Sequence, residues 1–185
     1  MPTEILTKLG TAKVWANTSD YSIGASNLAR TDQIDLTSVA ATEAREGTQG
    51  DFTATQAGEY RVIAGVEMNV APTSAEVIDY YWAGTTNATA ASGNPGGTVG
   101  VDGDYTGSAG DSLDDSLKQL RYLGSLVLTA DASGVVQIQE IGTVTSAELG
   151  RYGMPVVDNS AATAAMANTA THAFIAFVPV IDEAQ

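Results

Sequence analysis

The stretch Glu59-Tyr60-Arg61-Val62-Ile63-Ala64-Gly65-Val66-Glu67-Met68-Asn69 alternates along its whole length. Tyr60, Val62, Ala64, Val66 and Met68 fall on one side, and Arg61, Ile63, Gly65, Glu67 and Asn69 on the other. A two-residue period is that of a strand with one face against a core, because successive side chains leave a strand on opposite faces. Ala71-Pro72-Thr73-Ser74 ends the run. A second strand is expected over residues 76–83, where Val77, Ile78, Tyr80, Tyr81 and Trp82 offer apolar groups to both faces, as a central or interface strand does. The Tyr80-Tyr81-Trp82 cluster is the densest aromatic point of the chain. It reads as core or subunit-interface packing, with a sugar-binding platform as the alternative use.

Working outward toward the C-terminus, residues 122–129 and 135–145 read as strands around the turn Asp131-Ala132-Ser133-Gly134, with Val136, Ile138 and Glu140 on one face. This is the clearest hairpin in the sequence. Residues 149–157 form another short apolar piece, residues 159–171 an Ala, Thr and Asn stretch of loop or frayed helix, and residues 172–181 an apolar closing strand. Ser112-Leu113-Asp114-Asp115 has the form of a capped helix start. Leu113, Leu117 and Leu120 share a face, and Lys118 and Arg121 come late, so one short helix is expected. Toward the N-terminus, residues 1–56 are rich in Thr, Ser, Ala and Asn, with isolated apolar points at Val14, Trp15, Ile23, Ile34, Leu36 and Val39. They read as a polar N-terminal arm or strand region ahead of a domain over residues 57–185; the alternative is that they complete that domain. The fold class expected is mostly β: a β-sandwich, jelly-roll-like, with one short helix and a long Gly-rich loop.

That loop is residues 84–111, a 28-residue segment with eight glycines and almost no large apolar side chain. It cannot bury enough surface to fold alone, so it is expected to be mobile or ordered by a neighbouring chain.

Composition limits the chemistry. Lys and Arg total 8 against 22 Asp and Glu, a formal charge of -14, so a phosphate backbone is repelled and no nucleic-acid partner is expected. There is no Cys, which removes disulfides, thiolate zinc sites and cysteine nucleophiles. The longest apolar run, residues 173–181, is too short to span a bilayer, and the N-terminus has no signal-peptide hydrophobic region, so no membrane partner is expected. The Gly-rich segment has neither G-x-x-x-x-G-K-[ST] nor G-x-G-x-x-G. G-x-S-x-G is absent as well, and His172, the one histidine, reads as structural. No catalytic residue is assigned and no enzyme is expected. Asp102, Asp104 and Asp111, near Asp114 and Asp115, are the calcium candidates. Counted from Asp102 as an EF-hand, Gly107 takes the sixth position, but Thr106 and Leu113 stand where ligands are needed. Helix-capping acids and a solvated loop are the default, and no cofactor is expected.

Several pieces carry a resemblance. They are Glu76-Val77-Ile78-Asp79-Tyr80-Tyr81-Trp82-Ala83-Gly84, Gly93-Asn94-Pro95-Gly96-Gly97, Asp115-Ser116-Leu117-Lys118-Gln119-Leu120, Gly124-Ser125-Leu126-Val127-Leu128-Thr129, Gln137-Ile138-Gln139-Glu140-Ile141-Gly142 and Val178-Pro179-Val180-Ile181-Asp182-Glu183. Through them residues 60–185 resemble a group of bacteriophage virion structural proteins. The pieces are word patterns and not catalytic motifs. The resemblance implies a particle subunit, and size points to an accessory head protein of the decoration or cement kind on the capsid exterior. Its partners would be the major capsid protein and further copies of itself, as a dimer or trimer. A tail or head-fibre subunit is the alternative within that class, and a carbohydrate-binding β-sandwich module the alternative from another. Residues 1–61 carry five bases and eight acids, a net -3, whereas the remainder carries three bases and fourteen acids, a net -11. Contact with an acidic shell is therefore expected through the first part, with Lys8, Lys13 and Arg30 as contact residues, and self-contact through Tyr80, Tyr81 and Trp82.

Overall fold

The structure, a computed structural model, describes residues 5–23, 28–55, 57–90, 93–159 and 162–184. Parts of the expected arm (residues 1–4, 24–27 and 56) and of the expected loops (91–92 and 160–161) lie outside them. In chain order the elements are β1 (Ile5–Leu9), β2 (Lys13–Ala16), β3 (Asp32–Gln33), β4 (Ala44–Glu46), β5 (Gly50–Asp51), β6 (Glu59–Glu67), β7 (Val77–Thr85), β8 (Gly103–Tyr105), α1 (Leu113–Leu117), β9 (Arg121–Val127), β10 (Val136–Thr145), α2 (Ser146–Leu149), β11 (Tyr152–Asp158) and β12 (Phe174–Ala184). They make a β-sandwich. One sheet runs β10-β6-β12-β2-β3, with β1 also paired to β12; the other runs β8-β4-β11-β7-β9, with β5 paired to β11.

The alternation of the opening stretch sets the inner face of the first sheet. Tyr60, Val62, Ala64 and Val66 point inward from β6 and meet Ile78, Tyr80 and Trp82 from β7, with Ile175, Phe177, Leu123, Leu126 and Val157 filling between. At the centre the Trp82 ring stands edge-on to Trp15 at 5.5 Å, Phe52 at 5.6 Å and Phe177 at 5.0 Å. Edge-to-face contacts of this kind add to the large area that each ring buries.

Trp15 and Phe52 correct the expectation of a polar arm. Residues before 57 supply β1, β2 and β3 to one sheet and β4 and β5 to the other, and Trp15, Ile34, Leu36 and Phe52 are at most 2% exposed. Few apolar residues suffice because each one is placed at the centre. Scattered points do not show a period, so the region reads as irregular even while it completes the core.

Each sheet also carries an outer layer. Outside the first, Val14, Ala16, Phe174 and Ala176 are covered by Tyr21, Ile23 and Leu28; the Tyr21 hydroxyl donates to Leu28 O at 2.8 Å, and burial lifts its pKa to about 12. Outside the second, Ala83, Met154 and Val156 are covered by Tyr105, Leu117 and Leu120. The expected helix at Ser112 is α1, capped by the Ser112 side chain accepting from Asp115 N. A second helix, α2, was not anticipated. Thr145 and Glu148 form its capping box, the S/T-x-x-E pattern that marks a helix start.

The expected hairpin over residues 122–145 is also corrected. Its two strands are the edge strands β9 and β10 of opposite sheets, so the chain crosses between layers instead of pairing backbone to backbone. At one end the two strands approach at glycines: a Cβ on Gly124, whose φ is +148°, would collide with the Ile141 carbonyl, and one on Gly142 would sit 2.6 Å from Leu123 O. At the other end side-chain amides take the place of a ladder. Gln139 accepts from Val127 N and donates to Val127 O (3.1 and 2.6 Å), and Gln137 does the same at Thr129 (2.8 and 3.2 Å). A primary amide has the donor and acceptor of a peptide group, so two glutamines two residues apart match the open edge of a strand.

Candidate functional site

The aromatic cluster divides by strand alternation. Ile78, Tyr80 and Trp82 face the core, and Trp82 Nε1 donates to Leu149 O at 2.8 Å. The Tyr80 hydroxyl is fully buried without a hydrogen-bond partner, and burial pushes its pKa well above that of an ordinary phenol. Tyr80 and Trp82 are therefore neither a subunit interface nor a sugar platform. Tyr81 alone faces outward, half-buried, with its ring 5.5 Å from Tyr122. Burial, helped by the Asp79 charge, lifts the Tyr81 pKa to about 12.

Of the three expected contact cations, Lys13 is turned inward. Its ammonium lies 2.7 Å from Asp32 Oδ2 and 5.2 Å from the Trp15 ring centre, and its side chain is 11% exposed. It closes the end of the core and is not free to meet a shell. Arg30 is exposed, and Lys8 lies in β1 opposite Ile181.

The calcium candidates are engaged in another task. Asp102 accepts from Asp35 N at 2.9 Å, Gln33 Nε2 at 2.7 Å and Arg45 Nε at 3.4 Å. Asp104 takes the other end of the same guanidinium at 2.7 Å, and Asp111 accepts from Gln119 at 3.3 Å. Two of the three carboxylates thus converge on a cation of the protein itself. Among the described residues no group of three or more acidic, histidine or cysteine side chains is placed to hold a metal ion.

These bonds belong to a polar frame that holds residues 94–110, and they correct the expectation that the Gly-rich segment waits for another chain. Glu46, missed by the sequence reading, is its pivot. Only 3% exposed, it spreads both carboxylate oxygens over Val99 N at 3.2 Å. Burial pushes its pKa up to about 7, a shift opposed by the Val99 and Val101 amides and assisted by the Asp102 charge. Tyr105 donates to Gly96 O at 2.5 Å, Gln49 N to Gly100 O at 3.0 Å, and Ser108 N to Ser116 Oγ at 2.9 Å. Gly96, with φ of +62°, leaves no room for a side chain: a Cβ there would lie 2.6 Å from the Tyr105 hydroxyl. A segment with little apolar surface is thus ordered by donors and acceptors contributed from β4, β8 and α1. Glu46 left no trace in the sequence, since one acid among 22 is not distinguished until its neighbours in space are known.

His172 donates its amide to Glu67 Oε2 (3.3 Å) and sets its Nδ1 2.9 Å from Glu67 Oε1, tying the entry of β12 to the end of β6. A groove of about 740 Å³ runs between the end of β7 and the turn from α2 to β11 and is lined by Thr86, Asn87, Pro95, Glu148 and Arg151. Its charged groups are already paired. Glu148 binds Arg121 at 2.8 Å, and the Arg151 guanidinium lies 4.7 Å over the Tyr152 ring and 3.8 Å from Asp51. Comparison with protein-family models, curated proteins and solved structures finds no match.

Proposed function

We propose that this protein is a structural subunit of a bacteriophage particle, a coat or cement protein of the head exterior with no catalytic role. The observation that carries the reading is the strand order. The four strands β2-β12-β6-β10 face β4-β11-β7-β9, and the chain changes sheet between β3 and β4, β5 and β6, β6 and β7, β9 and β10, β10 and β11, and β11 and β12. We read this order as that of two interlocked Greek keys, a jelly roll, an architecture used in viral shells and in lectins. We take the first use, in line with the word patterns of residues 60–185. The second loses its aromatic platform, because Tyr80 and Trp82 lie in the core.

Charge supports an orientation. The layer outside the second sheet carries Asp104, Asp111, Asp114 and Asp115, all exposed, and is suited to face solvent. By sequence, residues 1–30 hold three bases against two acids, and we take this stretch as the one that meets the shell at lower electrostatic cost. Quantitative mass spectrometry of purified particles tests the role: a copy number comparable to that of the shell protein is expected, and one in the range of a tail structure overturns the head assignment. Arg30→Glu is expected to weaken binding to heads lacking the protein, and unchanged saturation of such heads overturns the orientation.

A further inference from the structure

We infer that the groove between the end of β7 and the turn from α2 to β11 is a binding site for a carboxylated saccharide, with Arg151 holding the carboxylate. The inference does not depend on the particle-subunit reading.

Arg151 is the residue that points to a ligand. It stands on the ridge between this groove of about 740 Å³, a volume in the range of small-molecule sites, and a second of about 270 Å³ that reaches Phe52 and Tyr60. Its guanidinium lies 4.7 Å over the Tyr152 ring, a contact that restrains the side chain while spending none of its N–H groups. Its ion-pair partner Asp51 is 3.8 Å from Nε, too far for a hydrogen bond, and is itself bonded to the Thr53 amide at 2.7 Å and to the Thr53 hydroxyl. Arg45 and Arg61 donate to carboxylates of the protein. Among the described residues no acceptor takes a hydrogen bond from Arg151, whose side chain is 56% exposed. A guanidinium restrained by a ring, with its donor fork unspent, is matched by a carboxylate that binds through both oxygens.

The rest of the wall selects a sugar as the carrier of that carboxylate. Thr85 and Thr86 bring hydroxyls, Asn87 an amide and Glu148 a carboxylate, donors and acceptors of the kind that sugar hydroxyls satisfy. The Thr85 hydroxyl oxygen accepts from Asn87 N at 3.1 Å, which leaves its proton to donate. None of the large hydrophobic side chains that the described residues leave exposed lines the groove, so a peptide finds no apolar anchor there. The chain carries -14, but near the groove the acids are matched by bases: Glu148 by Arg121 at 2.8 Å, and Asp51 by Arg151. The wall therefore does not repel an anion at close range.

Isothermal titration calorimetry on the intact chain tests this with matched probes: trigalacturonate against its methyl ester, and sialyllactose against lactose. At least one acidic probe is expected to bind, with its neutral counterpart weaker by about tenfold or more. Arg151→Gln is expected to weaken the acidic probe by about as much, and Arg151→Lys by less, because lysine keeps the charge and loses the fork. Ala147→Trp fills the groove from an exposed position and is expected to block binding with Arg151 intact. Thermal transitions should stay close to wild type, since both positions are exposed. Lys118→Gln, at an exposed cation outside the groove, is the control and is expected to leave the affinity unchanged. Failure of both acidic probes to bind at millimolar concentration overturns the inference, as does equal binding of the neutral counterparts or an Arg151→Gln variant with wild-type affinity. An aspartate-rich hexapeptide that binds as tightly as the acidic sugars overturns the saccharide as the ligand.

Discussion

Residues 13–55 and residues 94–110 look alike as sequence: polar, rich in small residues and without a period. In the folded protein they are held by opposite physics. The first region is anchored by a few large apolar side chains, Trp15, Ile34, Leu36 and Phe52, each inside the core. The second contributes chiefly Tyr105 to an outer cluster and is held by hydrogen bonds to Glu46 and Ser116 and by those its own Asp102 accepts from Gln33 and Asp35. A segment can thus be ordered with little apolar surface, provided that its backbone groups find buried partners. The two kinds of anchor should fail differently.

The largest effect is expected in the first region. Trp15→Ala removes the ring at the centre of the aromatic cluster and the bond from its Nε1 to Thr48 O at 2.7 Å. Losses for such truncations run to about 3–5 kcal/mol, a large part of the stability of an ordinary domain. Urea unfolding should show a collapse of the midpoint, and deleting residues 1–29 should abolish folding. A truncated protein with the wild-type midpoint would show that the region is an arm after all.

Asp102→Ala tests the second region at smaller cost. It strands Asp35 N and removes one of the carboxylates that pair with Arg45, a loss of about 1–3 kcal/mol. Hydrogen exchange should quicken in residues 94–110 while β6 and β12 stay protected. Uniform acceleration across both sheets would mean that the polar frame and the core unfold as one unit.

Glu46 gives the polar frame a pH dependence that the apolar anchors lack. Its pKa is about 7 in the folded protein against an ordinary 4.5, so the folded state binds the proton more tightly. The contribution is fully present below about 4.5 and is lost as pH rises through about 7. Stability should therefore fall between those values, and Glu46→Gln should flatten that slope. A variant that keeps the wild-type slope would assign it to other groups.

The smallest effect tests the apolar core itself. Tyr80→Phe removes a buried hydroxyl that has no partner, so the variant should match or exceed the wild type by up to about 1 kcal/mol. A clear loss would show that the hydroxyl is bonded, through an internal water for instance.

What the sequence determined by itself was the inventory of strands with a period. Residues 59–69 and 76–83 became β6 and β7, and the terminal apolar run became β12. The Ser112 cap was legible too, because capping and alternation are local and leave their pattern in neighbouring residues. The S/T-x-x-E start of α2 carries the same kind of local signal. Tertiary structure decided the rest. It turned residues 122–145 from a hairpin into a crossing between sheets, since a turn signal fixes a reversal of direction but not the partner of each strand. It placed Trp15, Phe52 and Lys13 inside and gathered Glu46, Arg45 and Ser116 around the segment that carries Asp102. Burial and hydrogen bonding between residues far apart in the chain depend on distances that no local pattern records.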